Sequence, residues 1–336
     1  MTVRTDDIYD GISNDSPRCS CIKKILLGTA AIVGSAAAVN AFIQMRTPPL
    51  QNALDATFAR YPSRHGDIAY NVGGSGSPVL LLHGIGAGNS MAEWSQNFAE
   101  LRRSHTVYAF DFMGWGLSDK PHHIQSAEEM IEQIIFFAED LIPEPCVLVA
   151  SSDSCAYAVE AAQRRPDLFS KLVLVCPPSS RDKGSHDGDA DVQSKLVKTL
   201  FKIPVLGTTI LNIFASRSAV RGFAERHLYF DKALVTEKTV SAYYVAAHQP
   251  GTVYGFASFL SSALSHDARE AWSNLEQPAL LVWGRNALIN PLETAPEWLA
   301  LKPDAQLEVI DRAMLLPHSE HPDEWNRRVL AWLQNA

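Results

Sequence analysis

Seven short apolar runs recur along the chain between residues 68 and 310. Most are continuous stretches of Val, Leu and Ile, which is typical of strands covered on both faces. We predict strands at Ile68–Val72, Val79–His83, Thr106–Phe112, Val147–Ala150, Leu172–Val175, Ala279–Trp283 and Leu307–Ile310. Helical patterns lie between them, at Ser126–Leu141, Ser154–Arg165, Leu292–Leu301 and Pro322–Leu333. The alternation predicts an α/β fold with a mostly parallel, doubly wound sheet.

The alternation stops over residues 179–265, where helical patterns occur without a clear strand pair. Here Arg181–Asp191 is polar and predicts a loop, whereas Val205–Ala215 is almost wholly apolar. An insertion at this point predicts a helical cap over the carboxyl edge of the sheet, where ligands bind in open α/β folds. The core domain then has two parts, residues 65–178 and 266–336, preceded by a proline-containing linker over 46–64.

The N-terminal region has a different pattern. A polar tail over residues 1–24 precedes a predicted hydrophobic helix over 25–45, in which Ile25–Ile43 carries no charge. Its length is close to the roughly 20 residues that cross a bilayer. Basic residues precede it at Arg18, Lys23 and Lys24, and this predicts a single-pass membrane anchor with the remaining chain on the non-cytoplasmic side.

Two alternatives to a membrane anchor stay open for this segment. Val39-Asn40-Ala41 could end a cleaved signal peptide, or the segment could be a soluble helix packed on the domain. Small residues recur at four-residue steps, at Ala30, Gly34 and Ala38, and would let two such helices form a homodimer.

Composition narrows the classes of partner. The chain has 336 residues and a net charge of −8, which argues against a nucleic-acid partner because phosphate binding needs clustered Lys and Arg. Five cysteines without zinc-like spacing predict neither a disulfide scaffold nor a metal site. We expect no cofactor.

Two glycine-rich segments follow predicted strands. The first is His83-Gly84-Ile85-Gly86-Ala87-Gly88, and the second is Asp111–Pro121, which contains Gly114-Trp115-Gly116. Both segments resemble the α/β-hydrolase superfamily. The resemblance implies that the backbone N–H of Ile85, next to Gly84, forms half of an oxyanion hole, and that His83 braces the loop.

A third resemblance lies at Ala150-Ser151-Ser152-Asp153-Ser154, where the family carries its Gly-x-Ser-x-Gly nucleophile elbow. The family's Arg-Arg-Pro-Asp sequence recurs as Arg164–Asp167, at the expected distance only if Ser152 is the nucleophile. The second oxyanion N–H would then come from Asp153.

The acid and base of the family's catalytic triad are both substituted. Trp283–Pro291 keeps the family's Trp-Gly-x-x-Asp-x-x-x-Pro frame with Ala287 in place of Asp, and Met314–Pro322 keeps the final motif with Leu315 in place of His. Because a serine hydroxyl is a poor nucleophile without a proton acceptor, another base would be needed. The candidates are His248 in the cap, His318, and the pair His122 and His123.

Three functions remain open at this point. The first is a membrane-anchored, atypical serine hydrolase acting on a lipophilic ester or similar carbonyl substrate, since an apolar cap beside a membrane suits such a substrate. The second is a catalytically degenerate relative that binds an apolar ligand or a protein partner at the membrane. The third is a cofactor-free, non-hydrolytic enzyme, which the fold also supports.

Overall fold

Eight strands form a single sheet in the part of the chain that the structure describes. This computed structural model describes residues 17–179, 197, 199–201 and 203–335, and for residues 17–30 and 204 it describes the backbone alone. The sheet order is β1-β2-β4-β3-β5-β6-β7-β8. The strands are β1 (Thr57–Ser63), β2 (Gly66–Gly74), β3 (Pro78–Leu82), β4 (Thr106–Phe110), β5 (Cys146–Ser151), β6 (Phe169–Val175), β7 (Ala279–Gly284) and β8 (Gln306–Ile310).

The predicted mostly parallel sheet is confirmed. Strands β3 to β8 pair in parallel with one another, and the antiparallel pairs of the described sheet are β1 with β2 and β2 with β4. Every residue of β3, β5 and β7 is buried, because helices cover both faces of these central strands. The carboxyl ends of β3, β5, β6 and β7 therefore meet along one edge, where the glycine-rich loop and the elbow lie.

Strand β1 is a difference from the sequence prediction, since it occupies part of the segment expected to be a linker. It pairs antiparallel with β2, with Thr57 opposite Val72 and Ser63 opposite Gly66. Its side chains alternate between exposed and half-buried positions. An edge strand of this kind contributes few apolar residues to the core, so it carries no continuous apolar run to reveal it.

The core helices form two groups, and the helices of each group contact other members of the same group. One group contains α3 (Ala127–Leu141), α4 (Ser154–Arg164), α9 (Arg269–Ser273) and α10 (Ala295–Leu301), and the other contains α2 (Ser95–Leu101), α11 (Pro317–Glu320) and α12 (Pro322–Asn335). Helix α3 begins at a capping box, in which Ser126 and Glu129 satisfy each other's backbone N–H groups. Helices α3, α4, α10 and α12 agree with the predicted segments to within three residues at each end, whereas α2, α9 and α11 were not predicted.

In the part of the predicted cap region that the structure describes, residues 197 and 199–201 are helical, and they are followed by α5 (Pro204–Phe214), α6 (Arg217–Phe223), α7 (Glu237–Ala247) and α8 (Thr252–Leu260). The predicted loop Arg181–Asp191 lies outside the described residues. Helices α7 and α8 approach the two glycine-rich segments at van der Waals distance. A Cβ at Gly88 would lie 2.2 Å from the carbonyl oxygen of Tyr243, and one at Gly255 would lie 2.9 Å from that of Gly114.

An N-terminal helix, α1 (Pro17–Arg46), packs against the cap helix α5. Residues 1–16 of the predicted polar tail lie outside the described part of the chain, as do the side chains of residues 17–30. Among the residues that are described, no helix combines the length and apolar character needed to cross a membrane.

A substitution at Gly88 tests how closely the cap packs against the glycine-rich loop. Its φ is +82°, a conformation that L residues rarely adopt, and a side chain there would meet the backbone of α7. We expect Gly88→Ala to lower the free energy of unfolding by roughly 1–3 kcal/mol, measured by urea denaturation. Gly222→Ala is the control, because that helical glycine has no atom within 4 Å of its added Cβ. Equal stability of the two variants would contradict the close contact.

Candidate functional site

Ser152 lies at the crest of the sheet, between the end of β5 and the start of α4. Its φ is +55°, the strained left-handed conformation that a nucleophile elbow requires. Its backbone N–H donates to the carbonyl oxygen of Val175 at 2.9 Å. The hydroxyl of Ser154, two residues further along the chain, donates to the carbonyl oxygen of His83 at 2.5 Å. The elbow geometry therefore falls on Ser152, the position that the spacing of Arg164–Asp167 predicts.

The hydroxyl of Ser152 accepts a hydrogen bond from an amide. Asn290 Nδ2 lies 3.3 Å from Ser152 Oγ and 2.9 Å from the carbonyl oxygen of Cys176. Because a carbonyl oxygen can only accept, the contact with Cys176 fixes which end of the amide faces the serine. The backbone of Asn290 is held in turn by the indole N–H of Trp283, at 2.8 Å from its carbonyl oxygen.

Asn290 is the residue that the sequence interpretation missed. It lies three residues after Ala287 and immediately before Pro291, in the loop that carries the acid of the family's triad. Its φ is +55°, which Asn tolerates better than most residues. An Asn-Pro pair in this loop is the sequence signal that indicates a special backbone conformation, but it does not indicate a contact with Ser152.

The positions of the missing acid and base are apolar and buried. Ala287 and Leu315 both belong to the main hydrophobic core. The loop that carries Leu315 is fixed by Glu320, whose carboxylate accepts from the backbone N–H groups of Met314 and Phe230, each at 2.6 Å. The final motif thus keeps its backbone position but presents a side chain that cannot accept a proton.

The candidate replacement base His248 lies in the cap, at the end of α7. Its Nδ1 lies 2.7 Å from the carbonyl oxygen of Tyr244, and its ring stacks on the Tyr244 ring at 4.1 Å. Burial lowers the pKa of its imidazole, which keeps the ring neutral at physiological pH. These contacts do not reach Ser152, so its role as a base stays a prediction.

The adjacent histidines also have partners away from the serine. The His122 ring stacks on Tyr254 at 5.1 Å. Its neighbour His123 places Nε2 at 2.7 Å from Oε1 of Glu129, near the start of α3. The partner of His122 therefore lies on α8, and the partner of His123 lies on α3.

His318 is fully buried in a clamp with Glu93 and Trp94. Its Nε2 lies 3.2 Å from Glu93 Oε1, and its ring stacks on the Trp94 indole at 4.2 Å. The same carboxylate accepts from the backbone N–H of Gly84 at 3.1 Å and from Asn89 Nδ2 at 3.2 Å. Burial raises the pKa of Glu93, but the contact with His318 and its charge outweigh burial, so the pKa lies below the ordinary value.

The clamp fixes the loop of the predicted oxyanion hole. It joins α11, which carries His318, to the turn that carries Gly84. A Cβ at Gly84 would lie 3.5 Å from both the Cβ of Ser152 and Oε2 of Glu93, so the turn separates the serine from the carboxylate. His83 braces the loop from beneath, accepting from the Phe112 N–H at 3.1 Å and contacting the Gly84 carbonyl oxygen at 2.7 Å. The buried Ile85 follows directly.

Space above this loop is small. The gap between the loop and the cap, lined by Gly88, Trp115, Leu211 and Phe256 among others, has a volume of about 10 Å³. That is about enough for one water molecule. Ser152 itself is 8% exposed. As described, the cap leaves no room for a substrate at this point.

A larger cavity, of about 170 Å³, lies on the other side of the elbow. The cavity is lined by Tyr157 on α4 and by Asp153, the residue before α4. Trp272 on α9 and Trp298 on α10 also line the cavity. His266 also borders it and pairs with Glu160 at 3.0 Å. The residue predicted to supply the second oxyanion N–H therefore lies between Ser152 and an aromatic cavity.

Comparisons with known proteins agree with this arrangement. The profile of the family described as "Alpha/beta hydrolase family" matches residues 79–328. The chain is 27% identical over 248 residues to 2-hydroxy-6-oxo-2,4-heptadienoate hydrolase of Pseudomonas putida, covering 71% of this chain and 82% of the relative. It is 25% identical over 268 residues to pimeloyl-[acyl-carrier protein] methyl ester esterase of Aliivibrio salmonicida, covering 78% and 94%.

A solved structure with a similar fold is the meta-cleavage product hydrolase of Pseudomonas fluorescens. The TM-score is 0.68 at 23% identity, and the match covers 82% of this chain and 97% of that one. At this identity the likeness concerns the fold alone.

The buried clamp predicts a pH-dependent loss of stability. The carboxyl of Glu93 has a lower pKa in the folded chain than in the unfolded chain, so its contribution is present above the ordinary value of 4.5 and is lost as the pH falls below it. We expect Glu93→Gln to lower the free energy of unfolding by about 1–3 kcal/mol at pH 7, and by less as the pH falls below 4.5.

Denaturant titrations at pH 7 and at acidic pH test this expectation. The control is Glu144→Gln, since Glu144 is exposed and its replacement should change the free energy of unfolding little. A stability difference between wild type and Glu93→Gln that stays constant with pH would show that the pair with His318 does not depend on the charge of Glu93.

Proposed function

Because the chain belongs to the alpha/beta hydrolase family, we propose that it is a catalytically degenerate member that binds a small apolar ligand at a membrane. The observation that carries this proposal is the hydrogen bond from Asn290 to the Ser152 hydroxyl, at 3.3 Å. A nucleophilic serine needs a proton acceptor at its oxygen, and here an amide donor faces it.

The cost to a triad mechanism is large. Removing the histidine of a serine triad lowers turnover by about 10⁶, and the oxyanion hole and binding alone retain about 10³–10⁴ over water. With Ala287 and Leu315 both packed in the core, neither position supplies the missing proton transfer. Donation from Asn290 stabilises negative charge on the serine oxygen, but an amide N–H cannot accept the hydroxyl proton, so this contact does not replace a base.

The cavity beside Asp153 is the candidate ligand site. Its aromatic lining of Tyr157, Trp272 and Trp298 suits an apolar group, and Asp153 and His266 supply polar contacts at its wall. Its volume of about 170 Å³ is below that of pockets for drug-sized ligands, about 300–1,000 Å³, and fits a small molecule or one end of a chain. The relatives named above act, by their names, on an oxo-dienoate and on an acyl methyl ester.

The second candidate is the atypical serine hydrolase, acting on a lipophilic ester or similar carbonyl substrate. The strained elbow favours it, because a left-handed backbone at a non-glycine residue costs of order 1–3 kcal/mol and such strain concentrates at functional sites. In this reading Ser152 attacks the carbonyl, the N–H groups of Ile85 and Asp153 hold the oxyanion, and movement of the cap brings His248 to the serine.

Membrane attachment is part of both candidates. It is supported by the charge-free stretch Ile25–Ile43, with basic residues before it and the folded domain after it. In this proposal the N-terminus lies in the cytoplasm and the domain on the opposite side of a single-pass anchor.

A fluorophosphonate probe separates the two candidates, because it reacts with an activated serine. We expect wild type to label no faster than Ser152→Ala. The double variant Ala287→Asp, Leu315→His restores an acid and a base, and we expect its Ser152 to label at least about 10²-fold faster, the lower range of general-base catalysis.

The outcomes of the probe experiment differ clearly. Rapid labelling of wild type that is lost in Ser152→Ala would overturn the degenerate reading and favour the hydrolase. Labelling that persists in Ser152→Ala would contradict both, since a different residue would then react.

Ligand binding is tested with a fatty-acid probe, lauric acid, monitored through quenching of tryptophan fluorescence. Ala156 lines the cavity, so Ala156→Phe fills part of it, and we expect at least a tenfold loss of affinity, or about 1.4 kcal/mol. Ala300→Phe is the control, because Ala300 is exposed on α10. Unchanged affinity in a folded Ala156→Phe would place the ligand elsewhere.

A further inference from the structure

Large apolar side chains lie exposed on two helices that contact each other. On α1, Met45 is 77% and Ile32 72% exposed, and at the cap helix α5, Ile213 is 64% and Phe214 59% exposed. We call the whole set the apolar helix-pair surface, and its members are Ile32, Val33, Val39, Phe42, Met45, Ile203, Leu206, Ile213 and Phe214. Only four further large apolar residues in the described chain are similarly exposed, which are Phe58, Phe223, Leu234 and Leu288.

A single asparagine joins the two helices. Asn40 is buried, and its Nδ2 donates to the carbonyl oxygen of Val205 at 2.9 Å and to Thr209 Oγ1 at 3.1 Å. Its Oδ1 accepts from Asn212 Nδ2 at 2.8 Å. Asn40 is the only amide or charged side chain in Ile25–Ile43, so the most polar group of that stretch is satisfied by α5 without water.

This internal satisfaction is what a lipid environment demands of polar groups. The cap segment from Ile203 to Ser216 carries no charge either. Two of its polar side chains, Thr209 and Asn212, are used in the junction with Asn40. The exposed sides of α1 and α5 therefore carry few polar groups that need hydrogen bonds from water.

Lengths limit how α5 can sit in a bilayer. Its 11 residues extend about 16 Å, about half the hydrocarbon thickness, so it cannot span a membrane but can lie within one leaflet. Asn40 lies three residues before Ile43, the end of the charge-free stretch. If α1 enters a bilayer, its junction with α5 therefore lies near the level at which the chain leaves the lipid.

The distribution of exposed side chains favours lipid over a second copy of the chain. A dimer contact covers one stripe of a helix, whereas apolar residues of the stretch Ile25–Ile43 occur around the helix, with no charged face. Arg46, exposed at the end of α1, lies over the Phe42 ring at 5.3 Å, where a cation can meet lipid phosphates while its stem covers apolar surface.

We propose that the cap helix α5 is inserted into the lipid bilayer beside α1, which makes the cap a membrane-embedded element. This rests on the membrane attachment given under the proposed function and adds the cap to it. The apolar interior of the cap then connects lipid to the glycine-rich loop. The Phe214 ring lies 5.9 Å from that of Phe256, and Phe256 and Leu211 line the gap above Gly86 and Ala87.

Depth-dependent quenching tests the proposal on the full chain. Cysteine is introduced singly as Ile213→Cys, Val39→Cys or Ser273→Cys in a Cys19→Ser, Cys21→Ser background, and labelled with the fluorophore NBD. The remaining cysteines, Cys146, Cys155 and Cys176, are buried. Each protein is reconstituted into phosphatidylcholine–phosphatidylserine vesicles whose acyl chains are brominated. We expect NBD at 213 and at 39 to be quenched alike, and NBD at the exposed position 273 to be unaffected.

The other outcomes overturn the proposal in distinguishable ways. Quenching at 39 but not at 213 leaves the membrane anchor of the proposed function intact and refutes insertion of the cap. Quenching at neither position refutes both. A blue-shifted emission at 213 without quenching, together with a doubled mass in detergent, assigns the surface to a second copy of the chain and so refutes lipid as its occupant.

Discussion

The hydrogen bond between Asn290 and Ser152 determines what this site can do. Three residues near it, Ser152, Cys176 and Asn290, have positive φ without being glycine. Each such residue costs free energy and persists only where its surroundings determine it fully. Here the amide of Asn290 joins all three, because it donates to the Cys176 carbonyl and to the Ser152 hydroxyl. The crest of the sheet is therefore held rigid by the same group that occupies the serine oxygen.

Positioning and proton transfer are separate properties of the final motif. His318 and Glu320 hold the backbone, through the clamp with Glu93 and through bonds to Met314 and Phe230. Removing Glu93 or His318 would leave the other side chain buried without its partner, which costs free energy. A leucine at the position of the family's catalytic histidine, Leu315, carries no such penalty, because its side chain packs into the core. The scaffold of a triad can thus remain when its chemistry has gone.

Periodicity and motif spacing were sufficient to predict the sheet and the position of Ser152. Continuous apolar runs mark buried strands directly, and Arg164–Asp167 sets the register of the elbow. The edge strand β1 could not be predicted in this way, because its side chains alternate between exposed and half-buried positions. The contact between Asn290 and Ser152 was also out of reach. It depends on how the loops after β5 and β7 meet in space, which no local pattern encodes.

Closure of the cap follows from backbone contacts rather than from side chains. Gly88 and Gly255 let α7 and α8 approach the loops so closely that about 10 Å³ remains between them. Any molecule that enters between the loop and the cap must therefore displace the cap. Since Asn40 ties α5 to α1, displacement of α5 has either to break those hydrogen bonds or to move the end of α1 with it. Breaking them inside an apolar environment leaves polar groups without partners, which is the costlier course. Opening of this gap by movement of α5 is for this reason coupled mechanically to the N-terminal helix.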